Sequence, residues 1–229
     1  MGIRDVTKWQ GTALAAALTL FAPAAMASQV VYEYHIEHPR YGTIGTYTNT
    51  VDNEGAAAEV HSDLRVAVKV LGIVMYREEG TRTEQWRDDR LVGFDAVTVT
   101  NGDSIKVHGE AKGDTFELTT PTGKIDAPPQ VHPSNPWAQH VLETDCMMST
   151  KTGHIEPVNV SGGNVQPVTL DGKELQLHHY DVVGSKHWQV WLDDRGVVVA
   201  FRTEEDGSPV DFILSHPPVV KPGNQAQNQ

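Results

Sequence analysis

The clearest pattern in the chain is a stretch in which Val60, Leu64, Val66, Val68 and Val70 alternate with His61, Asp63, Arg65 and Lys69. Successive side chains of a strand point to opposite faces, so this alternation predicts one buried and one wetted face. Related runs of β-branched and aromatic residues recur along the chain. They are "QVVYEYHIEH", "TIGTYTNTV", "IVMYREEGTRTEQW", "LVGFDAVTVT", "SIKVHGE" and "TFELTT", then "HIEPVNV", "VQPVTL", "KELQLHHYDVV", "HWQVWLD", "VVVAFRTE" and "VDFIL". The separators "DNEG", "RDDR", "NGD" and "KGD" carry hairpin-turn residues. Roughly a dozen strands at this spacing predict a mainly β protein, an antiparallel barrel or sandwich.

One segment departs from the pattern. "APPQVHPSNPWAQHVLETDCMMSTKTG" is a proline-rich loop that leads into an expected helix. Ser134 or Asn135 would cap it, and Pro136 suits the first helical position, where its missing N–H needs no partner. Trp137, Val141 and Met148 fall near one stripe with Leu142 beside them, so the helix would close over one face of the sheet.

The ends of the chain change the picture. Arg4 and Lys8 precede the apolar run "ALAAALTLFAPAAMA", and "AMA" stands before Ser28, which is the layout of a cleaved secretory signal over residues 1–27. The run is shorter than the ~20 residues of a bilayer-spanning helix. These features predict an exported protein beginning at Ser28, with a single β-rich domain over 28–216. The tail from 217 to 229, "PPVVKPGNQAQNQ", is expected to be disordered.

With Arg4, Lys8 and Asp5 set aside, 16 of the 18 Lys and Arg and 29 of the 30 Asp and Glu remain, a formal charge of −13. Such a surface repels phosphate backbones, so nucleic acid is not an expected partner. The same charge favours neutral, zwitterionic or cationic amphiphiles over anionic ones, unless Arg82 or Arg77 reverses the field locally. Cys146 is the single cysteine, so no intramolecular disulfide forms and stability must come from the core.

Chemistry is sparse. Nucleophile-elbow, phosphate-loop, dinucleotide and EF-hand signatures are absent from the sequence. No catalytic residue, cofactor or metal ligand is assigned. The histidine-rich "ELQLHHYDVVGSKHWQVWLDDRG" reads as a hairpin turning at Gly184-Ser185, with Val182 opposite His187. In that register His178 and His187 lie about four residues apart, ~13 Å at ~3.3 Å per residue, too far to share one ion. Cys146 and His140 fall on different faces of the expected helix, and a buried structural thiol is the preferred reading. The most distinctive polar segment is "MYREEGTRTEQW", whose Tyr76, Glu78, Arg82, Glu84 and Trp86 share a face. It suits the wall of a binding groove in which Arg82 meets an anionic head. A turn at Asp88-Asp89 sets Arg82 opposite Asp95, however, and an ordinary cross-strand ion pair is the favoured reading.

Taken together, "YREEGTRTEQWRDDRLVGF", "SNPW", "TKTG" and "WLDDRG…DG" resemble a family of secreted bacterial proteins known only as a domain of unknown function. Leu192 stands where that family's pattern has Tyr. More distantly, the chain is similar to periplasmic lipoprotein carriers. That likeness implies a large antiparallel sheet curled into an incomplete barrel, with one helix acting as lid and acyl chains held inside. Three functions follow. The first is a periplasmic carrier of a lipid or other apolar ligand, with Tyr76, Arg82, Trp86 and Trp137 as candidate binding residues. The second is a cell-envelope interaction module with a filled core and exposed aromatics such as Trp191, and the third an enzyme of unrecognised type. An apolar cavity of several hundred Å³ would favour the first.

Overall fold

The computed structural model describes residues 28–205 and 207–222. The expected secretory signal over 1–27 and the end of the tail, 223–229, lie outside the described residues. The chain opens with long strands β1 (Ser28–His38), β2 (Gly42–Glu54), β3 (Ala57–Val70) and β4 (Ile73–Arg87). It continues through β5 (Arg90–Thr100), β6 (Asp103–Lys112), β7 (Thr115–Thr120) and β8 (Gly123–Ala127). A crossing segment carries β9 (His132–Pro133), β10 (Cys146–Met148) and β11 (Ile155–Pro157). Six further strands follow: β12 (Asn159–Leu170), β13 (Lys173–Val183), β14 (His187–Leu192), β15 (Val198–Glu205), β16 (Ser208–Leu214) and β17 (Val219–Pro222).

Fourteen strands form one sheet in the order β12-β13-β14-β15-β16-β1-β2-β3-β4-β5-β6-β7-β8, with β17 also paired to β1. Strands β12 and β8 end this order, so the sheet is not closed. It is nevertheless curled. Val182 of β13 and Leu64 of β3 belong to one buried cluster although six strand steps separate them. In a flat sheet those steps would span ~29 Å at ~4.8 Å each. The architecture is an incomplete antiparallel barrel, as the strand pattern and the resemblance imply.

The alternation in β3 is realised through most of its length: Val60, Ser62 and Leu64 are buried while His61, Asp63 and Arg65 are exposed. Several turns place non-glycine residues in the left-handed region, where short polar side chains are best tolerated. Asp88 and Asp89 (φ 50° and 57°), Asn101 (φ 52°) and Asp171 (φ 48°) fit that rule. Leu71 (φ 51°), at the β3–β4 turn, does not.

The core has two main parts. One fills one end of the curl with Val51, Val60, Trp86, Leu91, Phe94, Val107, Phe116, Leu118, Trp137 and Met148. The other gathers Tyr34, Ile36, Ile44, Tyr47, Leu64, Val182, Val190, Phe201 and Val210 towards the opposite end. The crossing segment lies between them: Cys146 and Met148 of β10 pack into the first cluster and Met147 into the second.

Four expectations are corrected. The segment from Pro136 is not a helix: it holds one short 3₁₀ turn, Gln139–Leu142, beside the small sheet β11-β10-β9. Tertiary bonds prevent the helix. Asn135, expected to cap it, buries its side chain on Glu84 and Tyr47, and Trp137 buries its indole on Glu84. Ala138 is consequently extended (φ −151°, ψ 160°). Second, the histidine-rich hairpin turns through three residues, with Val183 opposite His187 and Val182 opposite Trp188. Gly184 and Ser185 are drawn onto Glu156, which accepts a bond from the Ser185 N–H. His179, Asp181, His187 and Trp191 therefore share a face, and His178 turns the other way onto the Gly163 carbonyl. Third, the tail is ordered for longer than expected: Val219 and Val220, both β-branched, pair with Val31 and Val30. Trp191 is not an exposed aromatic either; it is 8% accessible and packs with Leu177 and Ala200.

Candidate functional site

The inward face of β4 reads, in order, Tyr76, Glu78, Gly80, Arg82, Glu84 and Trp86. Alternation places all of them on the concave side of the sheet, while Arg77, Glu79, Thr81 and Gln85 point away. Arg82 is paired in register with Ala96 of β5, and Asp95 lies opposite Thr83. The expected Arg82–Asp95 ion pair does not form; Asp95 instead accepts from His108 at 2.8 Å. The one-residue difference arises at the irregularity between Gln85 and Trp86, which shifts the register of the hairpin. Asp95 is thereby placed on the outer face, and Arg82, turned inward by the alternation of β4, is left without it.

Above the filled core the curl encloses a cavity of about 1160 Å³. Its walls come from Ile36 and Tyr47, Leu64 and Val66, Val182 and Trp188, and Phe201, Val210 and Phe212. Phe201 and Phe212, cross-strand partners on β15 and β16, stack with ring centroids 4.3 Å apart. Tyr47 meets both edge-on, at 6.0 and 5.7 Å. The cavity opens where the loops before β2 and β14 and the turn before β16 gather: His38, Arg40, Tyr41, Lys186, Glu205 and Ser208 line that rim.

Charge inside the cavity is uneven. Glu78 accepts bonds from Tyr76, Lys151 and Thr100. Burial pushes its carboxyl upward, but the bonds from Lys151 and Tyr76 outweigh burial and hold it below the usual value. That pair is internally neutralised. Arg82 is different. Its Nη1 donates to the Tyr47 hydroxyl at 3.3 Å and its guanidinium lies 5.7 Å from the Tyr47 ring centre. Its Nε is buried with no partner, and no ion pair to it exists among the described residues.

Beneath Arg82 lies a fully enclosed polar knot. Glu84 Oε1 accepts from Asn135 Nδ2 at 2.7 Å, and Oε2 accepts from Trp86 Nε1 at 3.0 Å and Trp137 Nε1 at 3.1 Å. Asn135 Oδ1 in turn accepts from the Tyr47 hydroxyl at 2.6 Å and from Asn49 at 3.2 Å. Burial raises the Glu84 carboxyl to about 7, against the pull of these donors and of Arg82. The knot fixes the cavity floor: it ties the crossing segment to β2, β3 and β4 and orients Tyr47 beneath Arg82.

Of the four candidate residues, Tyr76 and Arg82 line the cavity. Trp86 and Trp137 do not; they lie at the filled end, 5.9 Å apart, as donors to Glu84. The sequence reading also missed Tyr47, Phe201 and Phe212. Each sits in a β run, but the signal that unites them is the pairing of the first strand with the last ones, which no local pattern carries. Among the described residues no group of three His, Cys, Asp or Glu side chains is placed to hold a metal ion. No helix of the described residues is long and apolar enough to cross a membrane.

A crystal structure of a beta-barrel-like protein of the domain of unknown function DUF1849, from Brucella abortus, is similar in fold, with a TM-score of 0.61. The match covers 86% of this chain and 98% of that one at 11% identity, so it speaks to the fold alone. No curated protein sequence matches the chain. A family defined by a domain of unknown function, DUF6134, matches residues 41–215. With its match spanning the sheet from the β1–β2 loop to the end of β16, the chain belongs to the DUF6134 family.

Proposed function

We propose that the protein is an exported, non-enzymatic binding or carrier protein of the periplasm, holding an elongated amphiphile in its half-open barrel. The observation that carries this reading is a cavity of about 1160 Å³, apolar over most of its wall, into which Arg82 brings a buried guanidinium Nε that has no hydrogen-bond partner among the described residues. Ligand sites are commonly apolar clefts of about 300–1,000 Å³ with a few placed polar groups, and this cavity has the volume for an acyl chain. Phe201, Phe212, Val210 and Leu64 would take the tail, and Arg82 with the Tyr47 hydroxyl would take the head. An orphaned guanidinium N–H in an apolar site favours a carboxylate or phosphate, because a charge-assisted bond offsets its desolvation. The local field at Arg82 therefore outweighs the acidic net charge, and an anionic amphiphile is the preferred ligand class. Arg77 plays no part in this: it is exposed and pairs with Glu79 at 3.7 Å.

Native mass spectrometry of protein isolated from the periplasm, with organic extraction, tests the reading directly. A discrete adduct that resolves into a lipid supports it, and titration with a long-chain fatty acid should then bind more tightly than a cationic amphiphile of equal length. Arg82→Met should weaken fatty-acid binding roughly tenfold or more, the loss of one charge-assisted hydrogen bond. A clean apo mass with no uptake from a lipid panel would sink the proposal.

A further inference from the structure

The β3–β4 hairpin outreaches its neighbours. Pairing of β3 with β2 stops at Val66, and pairing of β4 with β5 stops at Glu78, but β3 and β4 continue to pair with each other as far as Val70 and Ile73. From Val68 to Leu71 the ribbon runs on without a strand on either side, about 10 Å at ~3.3 Å per residue. Its tip, Val70-Leu71-Gly72-Ile73-Val74-Met75, is apolar throughout, so both of its faces lack the polar alternation seen lower in β3. Leu71 is 97% accessible, Ile73 66% and Met75 64%.

Two features of Leu71 argue against chance. An exposed leucine contributes nothing to the core. It also occupies a left-handed position, φ 51°, with Gly72 following at φ 83°. The matching positions of three other tight turns carry Asp88, Asn101 and Asp171. A bulky side chain there is strained, and Asn-Gly is the favoured pair for such a turn. The hairpin carries strain to keep a large apolar group at its outermost point, the kind of outlier that points to function.

We infer that this tip docks the protein on a lipid bilayer. The shape and charge favour that occupant. A narrow convex prong offers too little area for a stable protein interface, which needs about 1,000 Å² or more. Interfacial anchors, by contrast, enter the boundary between headgroups and acyl chains by only ~5–10 Å, the reach of this ribbon. Lys69, opposite Val74, and Tyr76 and Arg77, opposite Val68 and Ala67, stand just behind the tip, and Arg40 and Tyr41 line the adjoining cavity. Cationic and tyrosine side chains suit that depth, with apolar stems inward and polar ends at the headgroups. The nearby carboxylates are compensated: Glu79 pairs with Arg77 and Glu78 with Lys151. A second copy of this acidic chain is the less favoured occupant, because the two copies would repel.

The docking surface is continuous with the mouth of the cavity, since Met75, Tyr76, Val68 and Tyr41 line both. The inference goes beyond the cavity reading and rests on other side chains. The full-length protein should co-sediment with phosphatidylcholine vesicles, with or without phosphatidylglycerol. Leu71→Asn combined with Ile73→Thr should lower that partitioning at least tenfold, the loss of two inserted apolar side chains. The same variant should keep or raise the melting temperature, since Asn-Gly relieves the strained turn. Arg82→Met should leave vesicle binding unchanged, so failure of the cavity reading and failure of this one are separable. A wild-type protein that stays in the supernatant overturns the inference. So does a variant that binds vesicles as well as wild type, or one whose lost property is self-association rather than vesicle binding.

Discussion

Glu84 offers the sharpest quantitative test of the structure. Burial raises its carboxyl to about 7 from an ordinary 4.5. In the folded state it therefore holds its proton over a range in which the unfolded chain has released it. The stabilisation from that retained proton is complete below pH 4.5 and is lost as pH rises through 7. At about 1.36 kcal/mol per pKa unit, the span corresponds to roughly 3 kcal/mol. Most of the decline falls between about pH 5 and pH 7. Two neighbours act oppositely in the same window. His132 and His140, packed against Trp86 and Trp137, are held below the usual histidine value by burial, so they favour the folded state as pH rises. A wild-type stability curve alone can therefore look flat. The useful quantity is the difference between wild type and Glu84→Gln in urea denaturation at a series of pH values. The amide sets one of its hydrogens against a former donor, which gives a constant offset. The slope of the difference isolates Glu84. We expect the wild type to lose roughly 2–3 kcal/mol relative to the variant from pH 5 to pH 8. Parallel curves would refute the raised carboxyl, as would a carbon NMR titration of Glu84 with a midpoint near 4.5.

Two further substitutions test the packing around this site. Trp137→Phe removes one of the three N–H donors to Glu84 and should cost about 1–3 kcal/mol at pH 7.5; the pH-dependent part of the stability should grow, which urea melts at two pH values will read. Gly109→Ala would place a Cβ 2.4 Å from the Phe116 ring and 2.9 Å from Leu118, so overpacking should lower stability by about 1–3 kcal/mol, visible as a fall in melting temperature.

The strands were legible because their signals are local. Alternation in β3, and Asp and Asn-Gly turns after β4 and β5, mark a sheet whatever lies elsewhere in the chain. On β4 the inward face Tyr76, Glu78, Arg82, Glu84 and Trp86 followed from period two alone. Its partners did not. One irregularity between Gln85 and Trp86 decided whether Asp95 lay opposite Arg82 or one position away on the outer face. One extra turn residue, held by Glu156, decided which histidines shared a face. The helix from Pro136 failed for a related reason. Its capping and stripe signals are genuine local preferences, but Asn135 and Trp137 form stronger buried bonds to a carboxylate some fifty positions earlier. Tertiary polar contacts of that range leave no periodic trace. The cavity itself is a property of curvature, set by how the two halves of the sheet wrap, and side-chain order along any one strand does not encode it.

The first described strand has a consequence for how the molecule is assembled. Strand β1 is bounded by β2 on one side and by β16 and β17 on the other, with His35 opposite Ile213 and Val30 opposite Val220. From β2 to β8, and from β12 to β16, each strand pairs with its neighbour in sequence, so both wings can zip hairpin by hairpin. Only β1 joins them, and that junction closes a loop of most of the domain. Loop closure of that length makes the final step slow relative to the local ones. A nascent chain lacking β16 keeps one edge of β1 unsatisfied, a template for non-native pairing. The strand is a keystone set first and locked last. The domain reaches its finished shape only once nearly the whole polypeptide is available, and until then its cavity lacks the wall that Phe212 and Val210 provide.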